Sequence, residues 1–172
     1  RSILKTYQTL EYVSKLNKSL LLLSKIDNSQ FVETSEICIN EVLHRYLEDY
    51  QEVYDYRDIQ LTLVEKGEFR IEMNGTLAVV LVTNLLKNAF VHNVDKGIIR
   101  IEITPESFCF QNTGGDEALD EKRIFERFYQ GAKKKEGSTG LGLAIVHAVC
   151  RQYHLNISYR FLDNRHCFEI YR

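Results

Sequence analysis

Asn84, Asn88 and His92 recur at four-residue steps in an otherwise apolar segment, so they climb one helical face and turn slowly as they go. An amide on an apolar helix needs partners when it is buried. Its carbonyl oxygen also suits a hard cation such as Mg²⁺, which prefers oxygen ligands and keeps several waters. Two readings are therefore open for the pair: metal coordination, or capping of neighbouring loops. A second feature is Gly137-Ser138-Thr139-Gly140-Leu141-Gly142-Leu143, a glycine-rich loop running into an apolar helix. Glycines let backbone N–H groups approach an anion, and a helix N-terminus adds unpaired N–H groups and partial positive charge. The expected ligand is a phosphate chain. No Lys-Ser/Thr pair follows the glycines and a Lys-rich stretch precedes them, which excludes a Walker A loop and a Rossmann turn. Third, Phe110-Gln111-Asn112-Thr113-Gly114-Gly115 reads as a strand ending in a polar turn. Asn112 there can bond a base edge while Gly114 leaves room for a flat ring; a plain turn is the competing reading.

The elements that must position these residues follow from periodicity. Ile3, Tyr7, Leu10, Val13, Leu16, Leu20, Leu23 and Ile26 predict one helix over residues 1–27, about 40 Å long at roughly 1.5 Å per residue. A narrow stripe of that length asks for a partner helix, and a helical hairpin or bundle is favoured over a terminal helix packed on its own domain. Polar Asp27-Asn28-Ser29-Gln30 sets a boundary. Next come a short strand at 37–39, a helix capped by Asn40, and strands at 59–64 and 69–73 expected to pair as a hairpin through Glu65-Lys66-Gly67-Glu68. A strong helix spans 76–92, and strands 98–104 and 107–111 form a hairpin around Pro105. A short helix covers 121–129, another covers 141–153, and strands 155–161 and 166–171 close the chain. Helices interspersed with antiparallel hairpins predict an α+β fold, one mixed sheet with helices on one face.

The composition of the 172 residues, 44% hydrophobic and 27% charged, is that of a globular chain. Twenty-two Lys plus Arg against 24 Asp plus Glu leave a net charge of −2, which offers no basic excess for nucleic acid. The longest apolar run, Leu20 to Leu23, is far short of the roughly 20 residues a membrane span needs. The start, Arg1-Ser2-Ile3, carries neither Met nor a signal-peptide core and reads as the beginning of a fragment. Cysteines 38, 109, 150 and 167 lack zinc-ligand spacing and read as reduced, buried thiols.

In this order and spacing the motifs resemble the catalytic, ATP-binding domain of sensor histidine kinases, within the GHKL superfamily (HATPase_c) that also holds gyrase, mismatch-repair and chaperone ATPases. Asn84-Leu85-Leu86-Lys87-Asn88-Ala89 resembles the N box, and Asn112-Thr113-Gly114 stands where the first glycine box begins. Ile124-Phe125-Glu126-Arg127-Phe128-Tyr129 resembles the F box, and 137–143 followed by Ala144-Ile145-Val146 the second glycine box. The resemblance covers about residues 10–172 and includes Leu20 to Ile26, similar to the end of the second dimerisation helix.

The resemblance implies a two-layer α/β sandwich behind a long N-terminal helix. Residues 1–30 would be the truncated second helix of the dimerisation and phosphotransfer region, and 31–172 the catalytic domain. It implies ATP and Mg²⁺ as ligands, with Asn88 coordinating the metal and Asn84 near the phosphates. The implied nucleotide-contacting set is Asn84, Lys87, Asn88, His92, Asn112, Gly114, Ser138, Thr139, Gly140, Leu141, Gly142 and Leu143. Asn112 takes the place of an adenine-recognising Asp. Phe125 and Phe128 would anchor a mobile lid from about 116 to 139, with Lys133-Lys134-Lys135 inside it as a solvated run, a phosphate screen or a partner contact. The sequence departs from the pattern at Asn112, at Asp116 where a second glycine is usual, and at Val91 where a basic residue is common. No residue here is assigned as a general base. The implied activity is donation of the γ-phosphoryl group to a histidine outside the fragment, for onward transfer to a response-regulator receiver domain. The alternative is an ATP-binding regulatory module without kinase activity. The parent is expected to be a homodimer through the N-terminal helix, cytoplasmic in this part and anchored in the inner membrane.

Overall fold

Alternation at 98–103 and 107–113 is the pattern that organises the molecule. Ile99, Ile101, Ile103, Phe108 and Phe110 are buried on one face, while Arg100, Glu102, Cys109 and Gln111 turn to the other. The structure, a computed structural model, describes residues 2–115, 117–131 and 138–172. In chain order its elements are α1 (Ser2–Asp27), β1 (Ser35–Cys38), α2 (Ile39–Val53), β2 (Gln60–Glu65), β3 (Arg70–Met73), α3 (Gly75–Val91), β4 (Ile98–Ile103), β5 (Ser107–Thr113), α4 (Gly142–Gln152), β6 (Asn156–Leu162) and β7 (Arg165–Tyr171). A single 3₁₀ turn, Asp55–Arg57, joins α2 to β2.

Five strands form the main sheet in the order β2-β4-β5-β7-β6. β2 runs parallel to β4, and the other pairs are antiparallel, so the sheet is mixed. Helices α3 and α4 cover the face carrying Phe108, Phe110, Phe168 and Ile170. The expected α+β fold with helices on one face is present, with α1 ahead of it.

The expected hairpin between 59–64 and 69–73 does not form. β3 pairs with β1 instead, Ser35 opposite Met73, as a separate two-stranded ribbon. β2 joins β4 in parallel, and the chain from Lys66 through α3 is the crossover that parallel pairing requires. Phe69, wholly buried with its ring edge-on to Phe108, carries β3 away from β2 and over the core. Asn40 is not a helix cap either. Cys38 occupies the cap position without a side-chain bond, and Asn40 lies inside the first turn of α2. Its Oδ1 accepts from Phe69 N at 3.0 Å, and its Nδ2 donates to Gly67 O at 3.0 Å and to Glu65 Oε1 at 2.9 Å. It is the polar rivet that holds the 65–69 loop against α2.

The helix expected at 121–129 is a chain of turns. Ile124 N donates to Asp120 O and Glu126 N to Arg123 O, but Phe128 adopts φ +69° and its N–H bonds Gly140 O at 2.9 Å. A left-handed residue whose N–H is drawn to another segment cannot continue a helix. Helix α1 ends at Asp27, with Ser29 left-handed and Gln30 N closing back on Lys25 O. Its last turns join the core through Leu23 and Ile26, and Asp27 faces Arg127 at 3.2 Å and Arg151 at 3.7 Å. Ile3, Leu4, Tyr7 and Leu10 of its first half are exposed.

Candidate nucleotide-binding site

Helix α3 begins at a true cap: Asn74 Oδ1 accepts from Leu77 N at 3.1 Å, and Tyr153 OH receives Asn74 N. Its apolar residues Leu77, Leu81, Leu85 and Ala89 are buried and fix its rotation. That rotation leaves Asn84 and Asn88 half-buried at the edge of the core and Lys87 exposed between them. Asn84 Nδ2 donates to Val80 O at 2.7 Å, so its Oδ1 is the atom turned outward. The neighbour of that oxygen is Gly142, where a Cβ would stand 3.3 Å from Asn84 Oδ1. Burial of its stem, and then Lys15 of α1, lower the pKa of Lys87. His92 occupies the C-cap of α3.

Helix α4 starts differently. Its cap residue, Leu141, supplies no side-chain hydrogen bond, and its side chain is wholly buried. The first intrahelical bond runs from Ile145 N to Leu141 O, so the N–H groups of the first turn have no intrahelical acceptor. Gly140 before it adopts φ +71°, and a Cβ there would sit 2.8 Å from Phe128 Cα. Gln130 Nε2 donates to Ser138 O at 3.0 Å; its Oε1 is buried with no partner among the described residues. Leu143 and Thr139 are half-buried alongside. Phe125 stacks on His147 at 5.2 Å, and burial followed by Arg151 lowers the pKa of that histidine. Ile124 is buried, whereas the Phe128 side chain is exposed, so the segment is held by Ile124, Phe125 and the backbone of Phe128. Gly137, Lys133-Lys134-Lys135 and Asp116 lie outside the described residues.

The third part is the end of β5. Asn112 is 2% exposed and lies opposite His166 of β7. Asn112 Nδ2 donates to Thr113 O at 2.9 Å, which leaves Oδ1 as its remaining acceptor. A Cβ at Gly114 would stand 2.2 Å from the His166 ring, so only glycine fits beside that imidazole. His166 bonds Tyr159 OH at 2.7 Å, and burial lowers its pKa. The structure thus brings Asn84 to Gly142 and Gly140 to the 124–130 segment, and sets Asn112 and Gly114 beside His166.

Three contributors went unnoticed in the sequence. Asn93 is a buried hub: its Nδ2 donates to Ala89 O and Ile98 O, and its Oδ1 accepts from Val94 N and Thr113 Oγ1 at 2.8 Å each. It ties the end of α3 to the start of β4 and the end of β5. Arg57 closes the α3 C-terminus by donating to Phe90 O and to Asn93 O, and its Nε faces Asp95 at 2.9 Å. His166 is the third. A Cβ at Gly97 would collide with Asn93 Oδ1 and Thr113 Oγ1, so the hub also requires glycine there. Asn93→Ala is expected to cost about 2–4 kcal/mol, because it strands buried donors and acceptors. Urea unfolding measures it; a loss below about 0.5 kcal/mol would mean that Gly97 and Thr113 hold this corner without Asn93.

The fold defines a class: a two-layer α/β sandwich in which an amide-bearing helix meets a glycine-bearing turn at the start of a second helix. The model for histidine kinase-, DNA gyrase B- and HSP90-like ATPases matches residues 73–169, more than half of the chain. The chain belongs to that family. It is 29% identical over 157 residues to the heme sensor protein HssS of Staphylococcus epidermidis, covering 88% of this chain and 34% of that protein. It is 31% identical over 147 residues to the sensor histidine kinase RppB of Synechocystis, covering 80% and 32%. The chain therefore spans about a third of the length of these curated relatives. Among solved structures, the Acinetobacter baumannii histidine kinase AdeS superposes with a TM-score of 0.75 at 20% identity, over 99% of this chain and 83% of that one. The cytoplasmic segment of the histidine kinase QseC superposes at 0.70 and 15% identity, over 95% and 93%. No helix among the described residues is long and apolar enough to cross a membrane.

Proposed function

We propose that this chain is the catalytic part of a sensor histidine kinase. It binds Mg-ATP and donates the γ-phosphoryl group to a histidine on a helical hairpin beyond these residues. The observation that carries the reading is the apposition of Asn84 Oδ1 and Gly142. It joins the amide-bearing helix to the uncapped start of α4, two parts of the chain with no local reason to meet. In this reading the first-turn N–H groups of α4, with Gly140 and Gly142, receive the phosphate chain, helped by the hydroxyls of Ser138 and Thr139. Asn88 holds Mg²⁺ through its amide oxygen, and Asn84 orients groups nearby. Bound there, Mg²⁺ would neutralise charge on the phosphates. Lys87, with its pKa lowered, and His92 stand along the same helix. Asn112 Oδ1 accepts the adenine amine over Gly114.

An Asn cannot take a proton from water, so Asn84 favours phosphoryl transfer over hydrolysis. The work left to the protein is positioning and charge neutralisation. Residues 1–30 then form the second helix of a dimerisation region and 31–172 the catalytic domain. The parent is a homodimer, serves a response-regulator receiver domain, and is anchored in the inner membrane with this part in the cytoplasm. The relatives named as sensors and the solved complex of histidine kinase ThkA with response regulator TrrA, which superposes at a TM-score of 0.68, support this reading.

Calorimetry tests the base assignment. Mg-ATP is expected to bind at least about tenfold more tightly than Mg-GTP, because guanine would set a carbonyl against Asn112 Oδ1. Equal affinity would overturn the orientation given to Asn112. Incubation with labelled ATP and a separately supplied histidine-bearing hairpin should place acid-labile label on the hairpin alone. His44 is bonded to Glu65, His147 is stacked on Phe125 and His166 is buried, so these are poor acceptors. ATP binding without transfer would make the chain a regulatory module; label on its own histidines would relocate the acceptor.

A further inference from the structure

The side of the sheet opposite the helices carries a pair of thiols that the nucleotide site does not use. Cys109 on β5 lies opposite Glu169, and Cys167 on β7 lies opposite Gln111. The two cysteines are therefore diagonal neighbours on adjacent antiparallel strands, on the same face. Their sulfurs stand 2.7 Å apart. Both are free thiols; Cys109 is half-buried and Cys167 more deeply covered. Arg160 of β6 lies directly opposite Cys167, with Nη2 at 4.0 Å from its sulfur and at 3.6 Å from Glu169 Oε2. A guanidinium beside one of two touching sulfurs is an arrangement for thiolate chemistry. The other two thiols differ. Cys150 is buried in α4, where burial pushes it up to about 12, and Cys38 is buried beside Glu68 with its pKa raised.

We propose that Cys109 and Cys167 form an oxidation site, a dithiol that a peroxide converts to a disulfide across β5 and β7. The Cys167 thiolate attacks one peroxide oxygen; the O–O bond breaks and the departing hydroxide is protonated to water, leaving a sulfenic acid. The Cys109 sulfur then attacks the Cys167 sulfur, the S–O bond breaks, and the hydroxide leaves as water with the Cys109 proton. Two thiols and one hydrogen peroxide thus give one disulfide and two waters. The contact between the two sulfurs and the guanidinium of Arg160 beside Cys167 favour the thiolate at Cys167 and oppose its burial; pairing and burial raise Cys109. The guanidinium opposite Cys167 assigns attack to Cys167 and resolution to Cys109. The link would tie the strand carrying Asn112 to the strand carrying His166, which are register partners one residue from Cys167. It stands whether or not the chain binds ATP.

The test treats the reduced, folded chain with hydrogen peroxide, quenches it, and counts alkylatable thiols after denaturation. Four thiols should fall to two, with the loss of two hydrogens in the intact mass. Non-reducing tryptic mapping should find 101–122 joined to 166–172. In Cys109→Ser the sulfenic acid at Cys167 should persist and be trapped by dimedone, while Cys167→Ser should give no dimedone adduct at Cys109. Four remaining thiols, a bond to Cys38 or Cys150, or a bond between two copies would each overturn the proposal. The wild-type map is decisive by itself if a serine variant does not fold.

Discussion

Asn88→Ala is expected to lower Mg-dependent nucleotide affinity by roughly 100-fold or more while leaving the unliganded melting temperature almost unchanged. The two halves of that expectation have separate causes. Asn88 is half-buried on the polar edge of α3, and Ala is a better helix former than Asn, so the helix loses nothing. The amide oxygen is what the metal would lose, and no neighbouring acidic side chain on α3 can replace it, since the helix carries none. Calorimetry with ATP, with and without Mg²⁺, separates the contributions: the variant should bind in both conditions as the wild type does without metal. Wild-type affinity for Mg-ATP in the variant would remove Asn88 from the site. A fall in melting temperature of the same size as for a core truncation would make it a structural residue.

Gly140→Ala is expected to be the most damaging single-methyl change in the glycine loop. At φ +71° any L side chain costs about 1–2 kcal/mol. The added Cβ would also lie 2.8 Å from Phe128 Cα and 2.9 Å from Phe128 C, which are backbone atoms and cannot rotate away. The bond from Phe128 N to Gly140 O must then open, and with it the link between the 124–130 segment and the start of α4. On the proposed reading, ATP affinity falls at least about tenfold along with the melting temperature. Gly115→Ala is the matched control, because nothing lies within 4 Å of a Cβ at that position. It should change neither quantity. If Gly140→Ala and Gly115→Ala behave alike, the Phe128–Gly140 junction is not what holds the loop in place.

The periodicity of this chain by itself determined the helices at 2–27, 39–53, 75–91 and 142–152 to within a few residues, and the hairpins on either side of Pro105 and Asp163. These are local outcomes. A 3.6-residue or two-residue repeat buries one face whatever the rest of the chain does. Residue type and order likewise marked Asn84, Asn88, Asn112 and the glycines as candidates for the proposed site. Partner choice was decided only by the tertiary structure. Strand 60–65 could have closed a hairpin with 70–73, and only the crossover through α3 and the burial of Phe69 sent the two to different sheets. The segment 121–129 has helical spacing, yet its hydrogen bonding is settled by Gly140, a residue distant in sequence. Asn40 looks like a cap in sequence and becomes a rivet because Phe69 N and Gly67 O arrive beside it. Asn93, Arg57 and His166 were invisible for the same reason. Each gains its role from groups that only folding brings within 3.5 Å, and no spacing along the chain encodes which donors and acceptors those will be.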